Sequence, residues 1–305
     1  MTATGTEPPA DALPEGPWAA HTELDVLGVC GPDAVAYLQG QLSQDVAAMA
    51  VGAWTQALLL EPQGKMCAWL RVHRAAGDRV ELVVDAGFGQ AVEQRLRRFW
   101  LRTKAELTLR ESVPTLAVRD RPADPPTPSL EVDSDGLVAP VGWPGHGGID
   151  LIGDVPPPEG VQILEGDAGQ QALTLARVAA GVPAMGAEIG PDTIPAAAGI
   201  VDASVSFTKG CYTGQELVAR IDSRGNKTPS RLVRLAGTGP APAPGTPLSV
   251  EGTERASVTT AVASAAAPSE AWLGLGYLHR SVDTPAQLSL PGGAAVTAEA
   301  TSALE

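Results

Sequence analysis

The stretch Lys209–Glu216, KGCYTGQE, decides how the rest of the chain is interpreted. Cys211 is one of only three cysteines in 305 residues, and a lysine and two glycines lie close to it. Thr213 and Glu216 fit the S/T-x-x-E capping box, in which the threonine side chain caps the first turn of a helix. The motif therefore predicts a helix whose N-terminus directly follows Cys211.

A thiol at this position has two interpretations. The free amides and the positive end of a helix dipole favour a thiolate, and the charge of Lys209 would add to that effect. Gly210 and Gly214 would let the backbone turn tightly or approach a ligand. Alternatively, Cys211 is a small buried apolar residue and Lys209 is a solvated charge. The chemistry of the motif alone leaves both open.

Composition limits the classes of protein that fit. The formal charge of -14 argues against a large basic surface for direct nucleic-acid binding. Cys30, Cys67 and Cys211 are far apart in sequence and form no CxxC group, which favours reduced cytosolic thiols over disulfides or zinc. The four histidines lack metal-ligand spacing, so we predict no metal site.

No apolar run approaches the roughly 18 residues that a membrane span needs. The first twenty residues are acidic and rich in proline, unlike a signal or transit peptide. We therefore expect a cytoplasmic protein without membrane contact.

Hydrophobic periodicity predicts an α+β fold. Strands are predicted at 21–29, 54–60, 65–72, 79–84 and 104–110, and in a tail at 257–262, 272–279, 287–290 and 294–298. Helices are predicted after 31–33, at 91–99 and at 168–180. We divide the chain into a disordered leader (1–20), a core of two α+β lobes that could interleave (about 21–115 and 116–236) and a C-terminal β-barrel (237–305) that starts with a Pro/Gly-rich linker.

The motif resembles the signature of the YgfZ family, folate-binding proteins related to the T-protein (aminomethyltransferase) of the glycine cleavage system. Other segments resemble the family in the same order: Gly31–Ala34, Tyr37–Val46, Pro62–Lys65, Arg177–Pro183, Thr193–Pro195 and Leu273–Tyr277. The resemblance implies a three-domain ring of two α+β lobes and a small β-barrel around a central channel that can hold tetrahydrofolate.

The resemblance also implies a function. The family assists in assembling or repairing iron–sulfur clusters on a subset of enzymes, including enzymes that thiolate tRNA. The implied partners are a folate-type molecule and iron–sulfur client or assembly proteins. The implied site consists of Cys211 as the reactive thiol and of the ligand-contacting residues Asp45, Lys65, Arg177, Lys209, Tyr212 and Arg220.

The chain departs from its relatives at two places. Cys67 and Ala68 occupy the positions of the T-protein Asp-Asp pair, and alanine cannot do the work of a catalytic carboxylate. A glycine-cleavage aminomethyltransferase is therefore not expected. Ala179 replaces the glutamate that holds the pterin ring in relatives with an Arg-x-Glu-Ala-Gly sequence.

Three hypotheses follow from these departures. The first is an accessory factor for iron–sulfur enzymes that uses Cys211. The second is a tetrahydrofolate-dependent one-carbon transferase or demethylase with a different nucleophile. The third is a protein-binding module that has lost the ligand, which the alanine at 179 favours.

Overall fold

The computed structural model describes residues 13–119, 136–223, 228–264 and 270–302, which form one large sheet with flanking helices and a separate barrel. The strands of the sheet are β1 (Trp18–Cys30), β2 (Trp54–Leu60), β3 (Met66–His73), β4 (Arg79–Asp85), β5 (Glu106–Arg119), β6 (Leu137–Val141), β7 (Gly148–Ile152) and β8 (Gln162–Leu164). The helices are α1 (Ala34–Gln41), α2 (Gly89–Arg97), α3 (Gly166–Ala180), α4 (Val201–Ser204) and α5 (Gln215–Asp222), with a 3-10 helix at Pro195–Ala198. The predicted α+β class is confirmed.

Strand β1 joins the two predicted lobes into one sheet. The strand order is β2-β3-β4-β1-β5-β7-β6, and β8 pairs in parallel with the first residues of β1. β1 pairs with β5 along almost its whole length and with β4 along its second half. The predicted lobe boundary near residue 115 lies inside β5, so the two lobes share their central strands.

Strand β3 shows how sequence alternation positions side chains on the two faces of this sheet. Met66, Ala68, Leu70 and Val72 are buried in the main apolar cluster, together with residues of α1 and α2. The alternate residues of β3, which include Trp69, are half-buried on the opposite face. Side chains on that face are available to line an internal cavity.

Helix α3 lies between β1 and the barrel. Leu175 and Ala176 pack in one apolar cluster with Trp18 of β1 and Leu275 of the barrel. The helix ends at Gly181, whose φ of 73° lies in the left-handed region that favours glycine. The helix predicted at 168–180 is therefore confirmed.

The barrel is closed by six strands in the order β10-β11-β12-β9-β14-β13. They are β9 (Ser230–Thr238), β10 (Pro247–Val250), β11 (Thr253–Ala263), β12 (Ala271–His279), β13 (Ala286–Ser289) and β14 (Ala295–Ala300). Since β9 pairs with both β12 and β14, the barrel starts before the predicted boundary at 237. The Pro/Gly-rich segment 237–247 instead connects two barrel strands.

The predicted leader also differs from the structure. Residues 1–12 lie outside the described residues, but Leu13 is buried and Trp18, at 2% exposed, begins β1. The packing of Trp18 against α3 keeps this segment in the fold, and composition alone did not reveal that contact. In the part of the chain that the structure describes, no helix is long and apolar enough to cross a membrane.

Candidate functional site

The KGCYTGQE motif forms a loop followed by α5, but the predicted capping box is absent. Helix α5 begins at Gln215, and its N-cap is Gly214, with a φ of 85° and no side-chain capping bond. A Cβ at Gly214 would lie 2.5 Å from the Glu61 carbonyl oxygen, so the turn after β2 presses against this position. The Thr213 hydroxyl lies 3.4 Å from the Gly40 carbonyl oxygen instead of capping the helix.

Lys209 anchors the motif to the loop after α1. Its Nζ donates hydrogen bonds of 2.6 Å to the carbonyl oxygens of Gln39 and Leu42 and of 3.0 Å to that of Gln44. Burial lowers the pKa of Lys209 to about 8, although the nearby Asp45 carboxylate opposes this shift. The three donors of the ammonium group are thus directed to backbone carbonyls, and the expected support of a Cys211 thiolate by Lys209 is not what this geometry favours.

Cys211 itself is exposed, which contradicts its interpretation as a buried apolar residue. The next residue, Tyr212, is only 9% exposed, and its ring centroid lies 5.2 Å from the Lys209 Nζ. Burial raises the pKa of Tyr212 to about 12, so its hydroxyl stays protonated at neutral pH. The loop is therefore fixed on both sides of a thiol that faces solvent.

The other predicted ligand contacts do not form one site. Asp45 accepts hydrogen bonds from Gln39 Nε2 and from the amide of Ala48 within the loop after α1. Lys65 is exposed and pairs with Asp192 at 2.7 Å. Arg220 is exposed on α5. The structure brings Asp45, Lys209 and Tyr212 together around the α1 loop, whereas the Lys65 side chain pairs with Asp192 instead.

A central cavity of about 230 Å³ lies between the sheet and α3. Asp150 in its wall receives hydrogen bonds from Arg71 at 2.8 Å and Arg119 at 2.9 Å. Burial opposes ionisation of Asp150, but the two guanidinium groups outweigh it and lower its pKa. Arg119 also lies 4.3 Å from the ring centroid of Trp143. Sequence patterns did not predict this charged cluster, and its one signal is Arg71 on the less buried side of the alternating strand β3.

The same cavity is lined by a second, half-buried carboxyl group and by unsatisfied polar atoms. Asp85 accepts a 2.8 Å hydrogen bond from the amide of Met185, yet burial raises its pKa above the ordinary value. Gln56 Oε1 and Arg119 Nε have no hydrogen-bond partner among the described residues. A ligand in this cavity would therefore meet both acceptors and donors.

Arg177 lines the central cavity, but its guanidinium group is already bonded to other residues of the protein. Arg177 pairs with Glu188 at 2.8 Å and donates to the Val182 carbonyl oxygen and to Thr260 Oγ1. The Glu188 side chain has no exposed surface and also accepts from Thr259 of the barrel. These contacts make Arg177 a link between α3 and the barrel.

A second cavity, of about 280 Å³, lies where the end of α3 meets β9, β12 and β14. Ala179 lines this cavity and not the central one, although it is only two residues from Arg177. Three further lining residues, Arg234, Ser264 and Trp272, each have a buried polar atom without a partner in the described part of the chain. The cavity wall is otherwise mostly apolar, as expected of a small-molecule site.

Buried polar contacts connect the central cavity to the motif. Trp69 Nε1 in the cavity wall donates to Ser204 Oγ at 2.9 Å. Ser43 Oγ donates to the Ser204 carbonyl oxygen at 2.5 Å and follows Leu42, which accepts from Lys209. The α1 loop thus contacts both the cavity wall and the loop that carries Cys211.

The two positions that the resemblance assigns to the T-protein carboxylates, Cys67 and Ala68, hold no acid. Cys67 is half-buried, and its Sγ lies 3.7 Å from the Ala91 carbonyl oxygen. Burial, reinforced by the Glu61 carboxylate, raises the pKa of Cys67 to about 11. Ala68 is fully buried in the core. Neither side chain supplies a general base at neutral pH.

Comparisons with known proteins agree with this fold and motif. No protein-family model matches the chain. An uncharacterised protein of Haemophilus influenzae is 30% identical over 208 residues, covering 67% of this chain and 68% of that protein. The tRNA-modifying protein YgfZ of Klebsiella pneumoniae is 31% identical over 251 residues, covering 72% and 70%.

A solved structure is similar over most of the chain. The glycine cleavage system aminomethyltransferase T from Bartonella henselae superimposes with a TM-score of 0.75 and 21% identity, covering 94% of this chain and 86% of that one. This likeness concerns the fold, whereas the sequence relatives and the KGCYTGQE motif identify the family. The chain belongs to the YgfZ family.

Proposed function

We propose that this chain is a cytoplasmic accessory factor for the assembly or repair of iron–sulfur enzymes, including enzymes that thiolate tRNA, and that Cys211 is its reactive thiol. The observation that carries the proposal is an exposed thiol on a loop that buried contacts hold in place. Lys209 on one side and Gly214 on the other fix the backbone around Cys211. The name of the relative from Klebsiella pneumoniae, a tRNA-modifying protein, supports the connection to tRNA modification.

The thiol role is tested with two cysteine variants. Cys30 is also exposed, so Cys30→Ala is a matched control for Cys211→Ala. In a strain that lacks this gene, we expect the wild-type chain and Cys30→Ala to restore the activity of a tRNA-thiolating iron–sulfur enzyme. Cys211→Ala is expected to fail while it accumulates to the same level. Full restoration by Cys211→Ala would remove the thiol from the proposal.

We also propose that the second cavity holds the ring of a folate-type ligand. The resemblance places the pterin-binding glutamate of relatives at position 179, which lines this cavity. Arg234, Ser264 and Trp272 offer hydrogen-bonding groups without protein partners, which fits a flat heterocycle with acceptor atoms. Such a group would supply a one-carbon carrier. Without a carboxylate at Ala179 the chain forms fewer hydrogen bonds to the ring, so we expect weak binding.

Calorimetric titration of tetrahydrofolate into the reduced protein tests this assignment. Ala179→Glu is expected to tighten binding by about tenfold, the effect of one charge-assisted hydrogen bond. Gln56→Leu, which changes only the central cavity, is the control and should bind like the wild type. Weakening by Gln56→Leu with no effect of Ala179→Glu would move the ligand to the central cavity. Absence of heat from every variant would favour a ligand-free protein-binding module.

A tetrahydrofolate-dependent transferase or demethylase is the second candidate, and one observation favours it. Asp85 is a half-buried carboxyl group with a raised pKa in the wall of the central cavity, where it could replace the missing carboxylates as an acid or base. A transferase should form methylenetetrahydrofolate from a one-carbon donor, and Asp85→Asn should abolish that turnover. An accessory factor should show no turnover with either protein.

A further inference from the structure

The turn between α2 and β5 combines positive charge with exposed apolar side chains, and the proposed function does not use it. Residues 97–104 read RRFWLRTK, with four cations and no acid. The formal net charge of the whole chain is -14 and that of this segment is +4, so the rest of the chain has a net charge of -18. We call residues 97–104 the basic turn.

The basic turn exposes two large apolar residues. Leu101 is 87% exposed and Phe99 is 42% exposed. The other large apolar residues that the described part of the chain exposes are single ones at separate positions: Val51, Ile163 and Phe207. A pair of exposed apolar side chains surrounded by cations is a pattern that protein interfaces use.

Contacts beneath the basic turn hold it in one conformation. The ring of Trp100 packs edge-on against Tyr37, with 4.5 Å between the ring centroids. The Arg95 guanidinium lies 4.8 Å from the centroid of the Phe99 ring and donates to the Leu60 carbonyl oxygen. Arg102, within the turn, has a φ of 61°, which a long side chain rarely adopts. A preformed surface loses little conformational entropy on binding.

The charges of the turn are only partly neutralised within the protein. Arg97 pairs with Glu93 at 2.7 Å, and Arg98 pairs with Glu61 at 2.8 Å. Arg102 and Lys104 are exposed and form no ion pair with any residue that the structure describes. Both cations follow Leu101 within three residues. A complementary partner therefore presents carboxylates around an apolar contact.

The basic turn is coupled to the loop that carries Cys211. Arg98 pairs with Glu61, whose carbonyl oxygen lies against the position of Gly214. Arg95 bonds to Gln41, which also lies within 3.5 Å of the Thr213 hydroxyl. A protein bound to the turn is therefore placed next to the motif.

We propose that the basic turn is the docking surface for an acidic patch on the iron–sulfur client protein, with Leu101 as the apolar anchor and Arg102 and Lys104 pairing with client carboxylates. This proposal rests on the proposed function. It favours a protein over RNA because the charge of -18 on the rest of the chain repels a phosphate backbone. Arginines around an apolar anchor are typical of protein interfaces.

The test measures binding of the labelled full chain to a purified tRNA-thiolating iron–sulfur enzyme of the same organism by fluorescence anisotropy. The variant is Leu101→Ser with Arg102→Asn, since asparagine tolerates a left-handed φ and both side chains are exposed. The matched control is Ile163→Ser with Arg280→Asn, which removes an exposed apolar residue and an exposed cation elsewhere.

We expect the wild type to bind and added salt to weaken it. The Leu101→Ser/Arg102→Asn variant should bind about tenfold more weakly or worse, as for the loss of an interface anchor. The Ile163→Ser/Arg280→Asn control and Cys211→Ala should both bind like the wild type. Equal binding by the Leu101→Ser/Arg102→Asn variant, or no binding by the wild type, overturns the proposal. The proposal is also overturned if the Leu101→Ser/Arg102→Asn variant loses affinity for labelled tRNA or for anionic vesicles but keeps its affinity for the enzyme.

The same variants separate this proposal from the proposed function. If Leu101→Ser/Arg102→Asn binds and restores enzyme activity normally and Cys211→Ala does not restore it, the docking surface is overturned and the proposed function stands. If the wild type binds the enzyme but does not restore its activity, and only the Leu101→Ser/Arg102→Asn variant loses binding, the docking surface stands and the proposed function is overturned.

Discussion

Arg177 and Glu188 form a 2.8 Å ion pair that ties α3 to the barrel. Glu188 also accepts hydrogen bonds from Thr259 and Thr260 of β11, so one buried carboxylate connects the helix to a barrel strand. Arg177 lines the central cavity and Ala179 lines the second cavity. The pair therefore sets the spacing of the elements that form both cavities.

Loss of the Arg177 cation is expected to lower the stability of the folded protein. Arg177→Met leaves the Glu188 carboxylate buried without a cation, and we expect the free energy of unfolding to fall by about 3–5 kcal/mol. Adding Glu188→Gln should recover most of that loss, because the buried charge is then absent. Urea unfolding provides the measurement. Arg97→Met, which breaks an exposed pair with Glu93, is the control and should cost less than about 1 kcal/mol. Equal losses from the two arginine variants would contradict this prediction.

Gly214 is expected to tolerate no side chain. Its left-handed φ and the 2.5 Å approach to the Glu61 carbonyl oxygen predict that Gly214→Ala lowers the free energy of unfolding by about 1–3 kcal/mol. Gly210 has no atom within 4 Å of a Cβ position, so Gly210→Ala should change stability little. Thermal unfolding of both variants gives the comparison. A Gly214→Ala variant as stable as the wild type would show that the turn after β2 shifts to accommodate the added Cβ atom.

The two exposed thiols are expected to react before the half-buried thiol of Cys67. Because the pKa of Cys67 is about 11, its thiolate fraction and alkylation rate should rise about tenfold per pH unit between pH 7 and 10. Cys211 and Cys30 are exposed and should react with iodoacetamide before Cys67 at neutral pH. Peptide mass spectrometry resolves the three sites, and the urea-unfolded chain should lose the order. Early modification of Cys67 would contradict the prediction.

Lys209 predicts a pH dependence of stability. Burial lowers its pKa in the folded protein to about 8 from 10.5, so between these values the unfolded chain binds the proton more strongly. The stability of the wild type relative to Lys209→Met should therefore rise as the pH increases from 8 to 10.5. Urea midpoints of both proteins across this range test the sign. A constant or falling difference would show that the carbonyl contacts keep the ammonium protonated.

Local patterns predicted most of the secondary structure. The strands predicted at 54–60 and 79–84 and the helix predicted at 168–180 are present in the structure within one or two residues of those bounds. The helix has an apolar face and ends at Gly181, whereas the two strands are mostly apolar runs in which consecutive residues are buried. Pairings between strands that are far apart in sequence were not predictable in this way. Strand β1 pairs with residues of β4 that are 49–61 positions away and with residues of β5 that are 76–101 positions away.

The candidate site was predictable only in part. The motif singled out Cys211, and the structure shows an exposed thiol there, while its reactive role stays a prediction. The capping box at Thr213 was wrong because the turn at Glu61 presses against Gly214, and sequence spacing does not reveal that contact. The two cavities were missed for the same reason, because α3, β9 and β12 meet only after the chain has folded.

The strand order of the barrel has a consequence for protein synthesis. β9 is made first of the six strands, yet its neighbours β12 and β14 lie far downstream, and β14 ends at Ala300. A chain still attached to the ribosome therefore holds β9 with at least one unpaired edge until β14 has been made. Exposed strand edges favour pairing with other chains. Prematurely terminated or stalled chains of this protein should consequently depend on chaperones far more than the released protein does.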